Sequence, residues 1–267
     1  DIEVDTFDAK ADVTKETDLM SQAILQKYDA IIMGPVDTKA LVTSVEDANA
    51  AGIPVINYDS FMDADVYARI GSSNSELGKQ AGEYAVEHLK EKNGEAKGNI
   101  VILSFPALET MNSRISGFKE VLADYPDITV SEEAVKQCDA ENGQTMTENL
   151  LTANQKGKLD IVFGANAGVA IGANAAVSSA GRTDVGVIGI DDEKGELDAI
   201  AEGETFLATV AQDGITIGDQ SIKAAIKAMK GEKAGDIIVP GILITKDTVK
   251  DYLTKDNSRK EELKEYK

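Results

Sequence analysis

Residues 161–192 read IVFGANAGVAIGANAAVSSAGRTDVGVIGIDD. The apolar run from Leu159 to Phe163 ends in Gly164-Ala165-Asn166, a helical pattern of small residues follows to Ser179, and Gly181 halts it before a second apolar run, Val185 to Ile190. That is one βαβ unit. Parallel strands joined in this way place both carboxyl ends on the same edge of their sheet, so Asn166 and Asp191-Asp192, each just past a strand, are expected to open into one crevice. Polar side chains gathered there point to a ligand site.

The same alternation extends in both directions. Ile2 to Phe7 alternates apolar and polar like a half-buried strand, and a helix opens at Thr14. Tyr28 to Met33, ended by Gly34-Pro35, is apolar without alternation, as a parallel strand buried on both faces would be. A helix over 41–51, a strand over Ile53 to Asn57 ending at Tyr58-Asp59-Ser60, a short strand over 66–70 and a helix from Ser72-Ser73-Asn74 to Lys92 come next. Strands near 100–103 and 128–135, with helices over 111–123 and 143–153, lead into the opening unit. Beyond it lie a helix over 193–201, a strand over 205–210, a helix over 215–230 and strands at 237–239 and 242–244. The charged tail NSRKEELKEYK reads as a frayed helix. Strict β/α alternation predicts doubly wound parallel sheets, and about ten strands exceed what one compact sheet commonly holds, so two lobes are expected.

Composition bounds the chemistry. With 267 residues, 42% hydrophobic and 28% charged, the chain can bury a large core, and no stretch reads as a membrane span. The formal net charge of −20 argues against nucleic acid or anionic lipid as a partner. Cys138 is the only cysteine, so an intrachain disulfide is impossible, and the start DIEVDTF lacks the pattern of a signal peptide. His88 is the only histidine and reads as a surface residue, which leaves no Cys–His nucleophile in sequence proximity and no zinc site short of an all-carboxylate one. No GxGxxG follows a strand and no GxxxxGK[ST] occurs, so no nucleotide cofactor, and no cofactor of any kind, is expected. Gly164, Gly168 and Gly172, four residues apart, read as close packing of helix on sheet.

The ordered series YDAIIMGPVDTKAL, AGIPVINYDS, GSSNSELGKQAGEY, SRISGF, ENLLTAN, VFGANAGVAIGA, VGVIGIDD, ATVAQD and KAMKGE resembles the sugar-binding branch of the type 1 periplasmic binding proteins, the ribose- and galactose-type receptors of bacterial uptake systems. The resemblance follows the family's order over almost the whole chain. It implies an α/β fold of two doubly wound parallel-sheet lobes joined by a three-strand hinge. Residues 1–103 with 213–240 would form the amino-terminal lobe, and 104–212 with 241–267 the carboxy-terminal one. Family members begin with a strand and helix that precede the position of Asp1, so DIEVDTFDA corresponds to the family's second strand. The implied function is capture of a small neutral sugar between the lobes and its delivery to the membrane permease subunits of an ABC importer. The protein would act as a monomer outside the cytoplasm, in a periplasm or lipid-anchored on a Gram-positive membrane.

The resemblance places ligand contacts at Asp59, Arg114, Asn166, Asp191 and Gln212. Their chemistry suits a sugar, whose hydroxyls both donate and accept: carboxylates, a guanidinium fork and amides can complete such a network. Each residue also has a structural reading. Asp59 could be a turn residue, Arg114 a solvated charge paired with Glu120, and Asn166 a helix N-cap; Asp192 reads as a cap for the helix from Glu193. Sugar faces pack on aromatic rings, and of Tyr58, Phe61 and Phe105, Phe105 is the choice. Ser60 stands where ribose-type members carry arginine, so ribose is not the default. The alternatives are a sugar-sensing receptor domain for chemotaxis, kinase signalling or a repressor, and, from a different class, an enzyme.

Overall fold

The computed structural model describes residues 2–10 and 12–264. The chain divides into two units, Asp1–Ser72 with Asp213–Val239, and Ser73–Gln212 with Pro240–Lys267.

In the first unit, strands β1 (Ile31–Met33), β2 (Val55–Tyr58), β3 (Ala68–Gly71) and β9 (Ile237–Ile238) form a parallel sheet in the order β1-β2-β3-β9. Successive residues of a strand point to opposite faces, and here each face has its own helices. Val55 joins Met20 of α1 (Val13–Gln26) and Val45 and Ala48 of α2 (Val42–Ala50), while Ile56 joins Ile217, Ala224 and Ala225 of α8 (Gly214–Met229). Residues 2–7 form no strand, contrary to their alternation. Among the described residues nothing pairs with their amides, and Ile2, Val4 and Phe7 remain exposed. A period-2 pattern becomes a strand only beside a neighbour that completes its ladder.

The second unit holds a six-stranded sheet in the order β10-β8-β7-β6-β4-β5. Its strands are β4 (Gly98–Ser104), β5 (Ile128–Ala134), β6 (Ile161–Gly164), β7 (Gly186–Ile190), β8 (Phe206–Ala211) and β10 (Ile242–Thr245). All neighbours are parallel except β10, which runs antiparallel to β8. An all-parallel sheet was expected, but an edge strand reached without a helical crossover is free to reverse. Ile100 and Ile102 face α3 (Asn74–Asn93) and α4 (Glu109–Leu122), and Phe118 of α4 stacks on Phe163 at 4.1 Å. Val101 and Leu103 face the other way, toward α6 (Ala167–Ser179), α7 (Lys194–Glu202) and the start of α9 (Val249–Lys264), with α5 (Ala140–Ala153) outside α6. The last three residues of the charged tail lie outside the described residues.

The expected assignment of residues 73–103 to the amino-terminal lobe is corrected by this sheet. β4 is one of its interior strands, paired with β5 along seven residues and with β6 on its other side. Helix α3 packs against α4 so closely that a Cβ on Gly78 would stand 1.8 Å from the Arg114 carbonyl oxygen. The first boundary therefore falls between Ser72 and Ser73, and the others at Gln212/Asp213 and Val239/Pro240.

Two further expectations change. Of the three spaced glycines, Gly164 of β6 does pack against α6, where its Cβ would lie 2.7 Å from the Ala170 amide nitrogen, but Gly172 serves helix-on-helix contact: its Cβ would lie 2.0 Å from the Ala140 carbonyl and 2.7 Å from the Gln144 amide nitrogen of α5. His88 is half-buried, its ring stacked with Tyr84 at 6.5 Å, and burial followed by the Lys92 charge lowers its pKa. Gly172→Ala is expected to lower stability by about 1–3 kcal/mol through forced separation of α5 and α6, read as a lower unfolding midpoint in urea. Because the unfolded chain protonates His88 first, stability is full above its ordinary value of 6.5 and is lost as pH falls through the lowered folded-state value. His88→Gln should flatten that slope in thermal melts across acidic pH.

Candidate functional site

The carboxyl ends of β4, β6, β7 and β8 lie on one edge because these strands are parallel neighbours, with Leu103 beside Gly164, Phe163 beside Ile188, and Ile190 beside Val210. The chain places Phe105 just past β4, Asn166 just past β6, Asp191 at the end of β7 and Gln212 at the end of β8. Arg114 reaches the same edge from α4.

Arg114 is 6% exposed, and its fork is committed in four directions. Nε donates to Asn74 Oδ1 at 2.9 Å, and Nη1 donates to the Ala165 carbonyl at 3.0 Å and to Asp191 Oδ2 at 3.4 Å. Nη2 lies 3.3 Å from Asp191 Oδ1. The pairing expected for a solvated arginine, with Glu120, goes instead to Lys79. A planar guanidinium whose donors are tied to a neighbouring helix, a strand-end carbonyl and a carboxylate has little freedom to rotate.

Asp191 collects the rest of the cluster. Gln212 Nε2 donates to its Oδ1 at 3.1 Å, and the Ala167 amide, at the N-terminus of α6, points to its Oδ2 at 3.4 Å. The Asp191 backbone is left-handed (φ 106°), a conformation few residues other than glycine adopt. It is fastened by its own amide to the Val210 carbonyl (3.0 Å) and by its carbonyl to Thr209 Oγ1 (2.8 Å). Its side chain stays 28% exposed, so the carboxylate is oriented yet accessible. Among the described residues, Gln212 Oε1, one Gln212 amide hydrogen and one Nη2 hydrogen of Arg114 find no partner.

Asn166 is an N-cap: its Oδ1 accepts from the Val169 amide at 3.1 Å, and its Nδ2 donates to the Cys138 carbonyl at 3.0 Å. Both roles hold the β6–α6 turn in place. Phe105 is half-buried and packs against the cores on both faces of the sheet. Asp192, expected to cap α7, instead accepts from the Tyr252 hydroxyl at 2.6 Å, and the N-cap is Glu193.

Asp59 belongs to the first unit. It follows β2 with φ 61°, its amide bonded to the Ile70 carbonyl at 3.2 Å and its Oδ2 accepting from Ser60 Oγ at 3.1 Å. Buried Asn57 braces this turn through the carbonyls of Tyr58 and Ser60 and the amide of Met62. Sequence reasoning passed over Asn57, Asn74 and Thr209. Asn57 could have been noticed as an amide in an otherwise apolar strand, and Asn74 as a second polar residue beside a cap.

Among the described residues no group of three or more His, Cys, Asp and Glu is placed to hold a metal ion, and no helix is long and apolar enough to cross a membrane. What the arrangement offers is a paired cation and anion with amide donors and acceptors around them.

Residues 1–233 match the family described as "Periplasmic binding protein domain". The ribose import binding protein RbsB of Bacillus subtilis (strain 168) is 31% identical over 226 residues, which are 85% of this chain and 71% of that protein. The structure of an ABC transporter solute binding protein from Bacillus halodurans C-125 with bound myo-inositol superposes with a TM-score of 0.81 at 32% identity, covering 93% of this chain and 85% of that one. One from Actinobacillus succinogenes 130z with bound D-allose gives 0.83 at 27% identity, covering 94% and 89%.

Removing the guanidinium leaves Asn74, the Ala165 carbonyl and Asp191 without it. Arg114→Ala is therefore expected to destabilise the second unit by about 2–4 kcal/mol, a value kept below that of a fully buried pair by the exposure of Asp191. Urea unfolding followed by tyrosine fluorescence measures it.

Proposed function

The chain belongs to the periplasmic binding protein family, and on that premise we propose that it binds a small neutral sugar or related polyol without transforming it. The observation that carries this reading is the Arg114–Asp191–Gln212 cluster at the strand-end edge. Its one cation faces one anion, so the cluster has little net charge to offer an ionic ligand. Its unfilled capacity consists of single donors and acceptors, which suit hydroxyl groups that can do either. A carboxylate already oriented by three partners can receive a sugar hydroxyl without first being ordered, which lowers the entropic cost of binding.

Within this proposal Asp191, Arg114 and Gln212 bond the hydroxyls, Phe105 supplies an apolar ring face, and Asn166 contributes its remaining amide hydrogen while holding its turn. Asp59, just past β2 in the first unit, is proposed to bond a sugar hydroxyl as well. The relatives named above are import or transporter solute-binding proteins, which supports a role outside the cytoplasm handing solute to the permease subunits of an ABC importer. The protein acts as a monomer in this reading.

Thermal shift and calorimetry with D-ribose, D-allose, myo-inositol and a nucleotide test the ligand class. A binder present at about a hundred times its Kd should add about 2.7 kcal/mol of stability. Stabilisation by the nucleotide and by none of the polyols would sink the reading. Asp191→Asn keeps the shape but removes the charge, and should weaken the bound polyol by roughly ten- to a hundredfold, the worth of a hydrogen bond to a charged group.

A further inference from the structure

Beneath Asp191 lies a second acid that its neighbours cannot easily accommodate as an anion. Glu196, in the first turn of α7, is fully buried. Its Oε2 accepts from the Glu193 amide at 3.2 Å, and its Oε1 lies 3.0 Å from Thr209 Oγ1, which itself lies 2.8 Å from the Asp191 carbonyl oxygen. A Cβ on Gly189 would stand 2.3 Å from that same Oε1, so β7 carries no side chain where the acid needs room.

Counting protons decides the state of this chain. A threonine hydroxyl has one hydrogen to give and two lone pairs to receive. Were Glu196 a carboxylate, Oγ1 would face two acceptors with a single proton, and one of the two short contacts would set oxygen against oxygen. A carboxylic acid removes the conflict: Oε1–H donates to Thr209, Thr209 donates to the Asp191 carbonyl, and Oε2 still accepts from Glu193. We propose that Glu196 is kept as the neutral acid and is a positioning residue for Asp191, acting through the Thr209 hydroxyl.

The surroundings agree. The charged groups that bear on Glu196 are Asp191 at the end of β7 and Glu193 at the cap of α7, both anionic. β8 presents Thr209, and α6 contains no ionisable side chain. α9 packs through Val249, Tyr252 and Leu253, with Tyr252 bonded to Asp192 and Lys250 and Asp251 exposed. Burial first, and then the Asp191 charge, raise the Glu196 carboxyl well above the ordinary value of 4.5. Ionisation would draw the Thr209 proton to the carboxylate, since a charged acceptor outcompetes a carbonyl, and would release the clamp on a left-handed backbone. The folded state therefore loses stability as pH rises from 4.5 through the raised value.

The proton relay is tested without any ligand. In protein carrying 13C at glutamate carboxyls and backbone carbonyls, NMR spectra are recorded from about pH 5 to about pH 9, a range above the ordinary carboxylate values. One glutamate carboxyl should stay protonated beyond all others and be missing from Glu196→Gln, whose amide can still donate to Thr209. The Asp191 carbonyl should move with the same midpoint in the wild type and stay still in Glu196→Gln and Thr209→Val. Titration of every glutamate in the ordinary range, or an Asp191 carbonyl indifferent to that midpoint, overturns the proposal. The affinity arm rests on the sugar reading and uses D-ribose. Its Kd should rise about three- to tenfold across the midpoint in the wild type and remain flat in Glu196→Gln, as loss of one neutral hydrogen bond predicts. A flat wild-type profile beside a moving carbonyl overturns the positioning role. If D-ribose fails to bind at any pH, D-allose and myo-inositol take its place; failure of all three counts against the ligand class, and the NMR results alone then decide the relay.

Discussion

The pairing of Arg114 with Asp191 is the constraint on which the second unit's functional edge depends. A buried guanidinium must be met by acceptors, and this one finds them on α3, at the end of β6 and at the end of β7. Each contact ties a different element to the same group, so the geometry of the edge follows from satisfying one charge. The aspartate gains as well: its left-handed backbone would be unfavourable alone, and the arginine, Gln212, the α6 amide and Thr209 together hold it there.

Packing supplies the platform. Both sheets are covered on both faces, and within each strand alternate residues serve different cores, as Val55 and Ile56 do in one unit and Ile100 and Val101 in the other. Strands covered on both faces are held in fixed register, and fixed register makes the strand ends a reliable place for polar groups. The close approach of α3 to α4 at Gly78 carries the same precision outward, since it sets where the helix bearing Arg114 can lie.

Polar networks of this kind are coupled by proton count as well as by distance. A hydroxyl between two acceptors, as Thr209 is, forces a choice that only a protonated neighbour can relieve. Buried Glu196 extends the network below the surface that a ligand would touch, so the accessible carboxylate and the inaccessible acid are parts of one arrangement. Asn57 does the analogous bracing for the turn of Asp59 in the first unit, with an amide in place of an acid.

The order of strands and helices was legible in the sequence, because apolar runs, caps and glycine stops are local signals written within a few residues of the element they shape. The βαβ unit at 161–192 and its strand-end residues Asn166 and Asp191 belong to that class, as does Gln212 after β8. Partners were not legible. Residues 2–7 carry a strand's alternation without a pairing strand among the described residues, Asp192 bonds to a tyrosine 60 residues later instead of capping α7, and residues 73–103 join the second unit because of a pairing between β4 and β6 that no local pattern announces. Glu196 reads as one more helical acid until Thr209 and Gly189, distant in sequence, are brought against it. Local propensity determined which elements form, while the tertiary structure decided which polar atoms meet, because a hydrogen bond between remote residues depends on how the whole sheet is assembled.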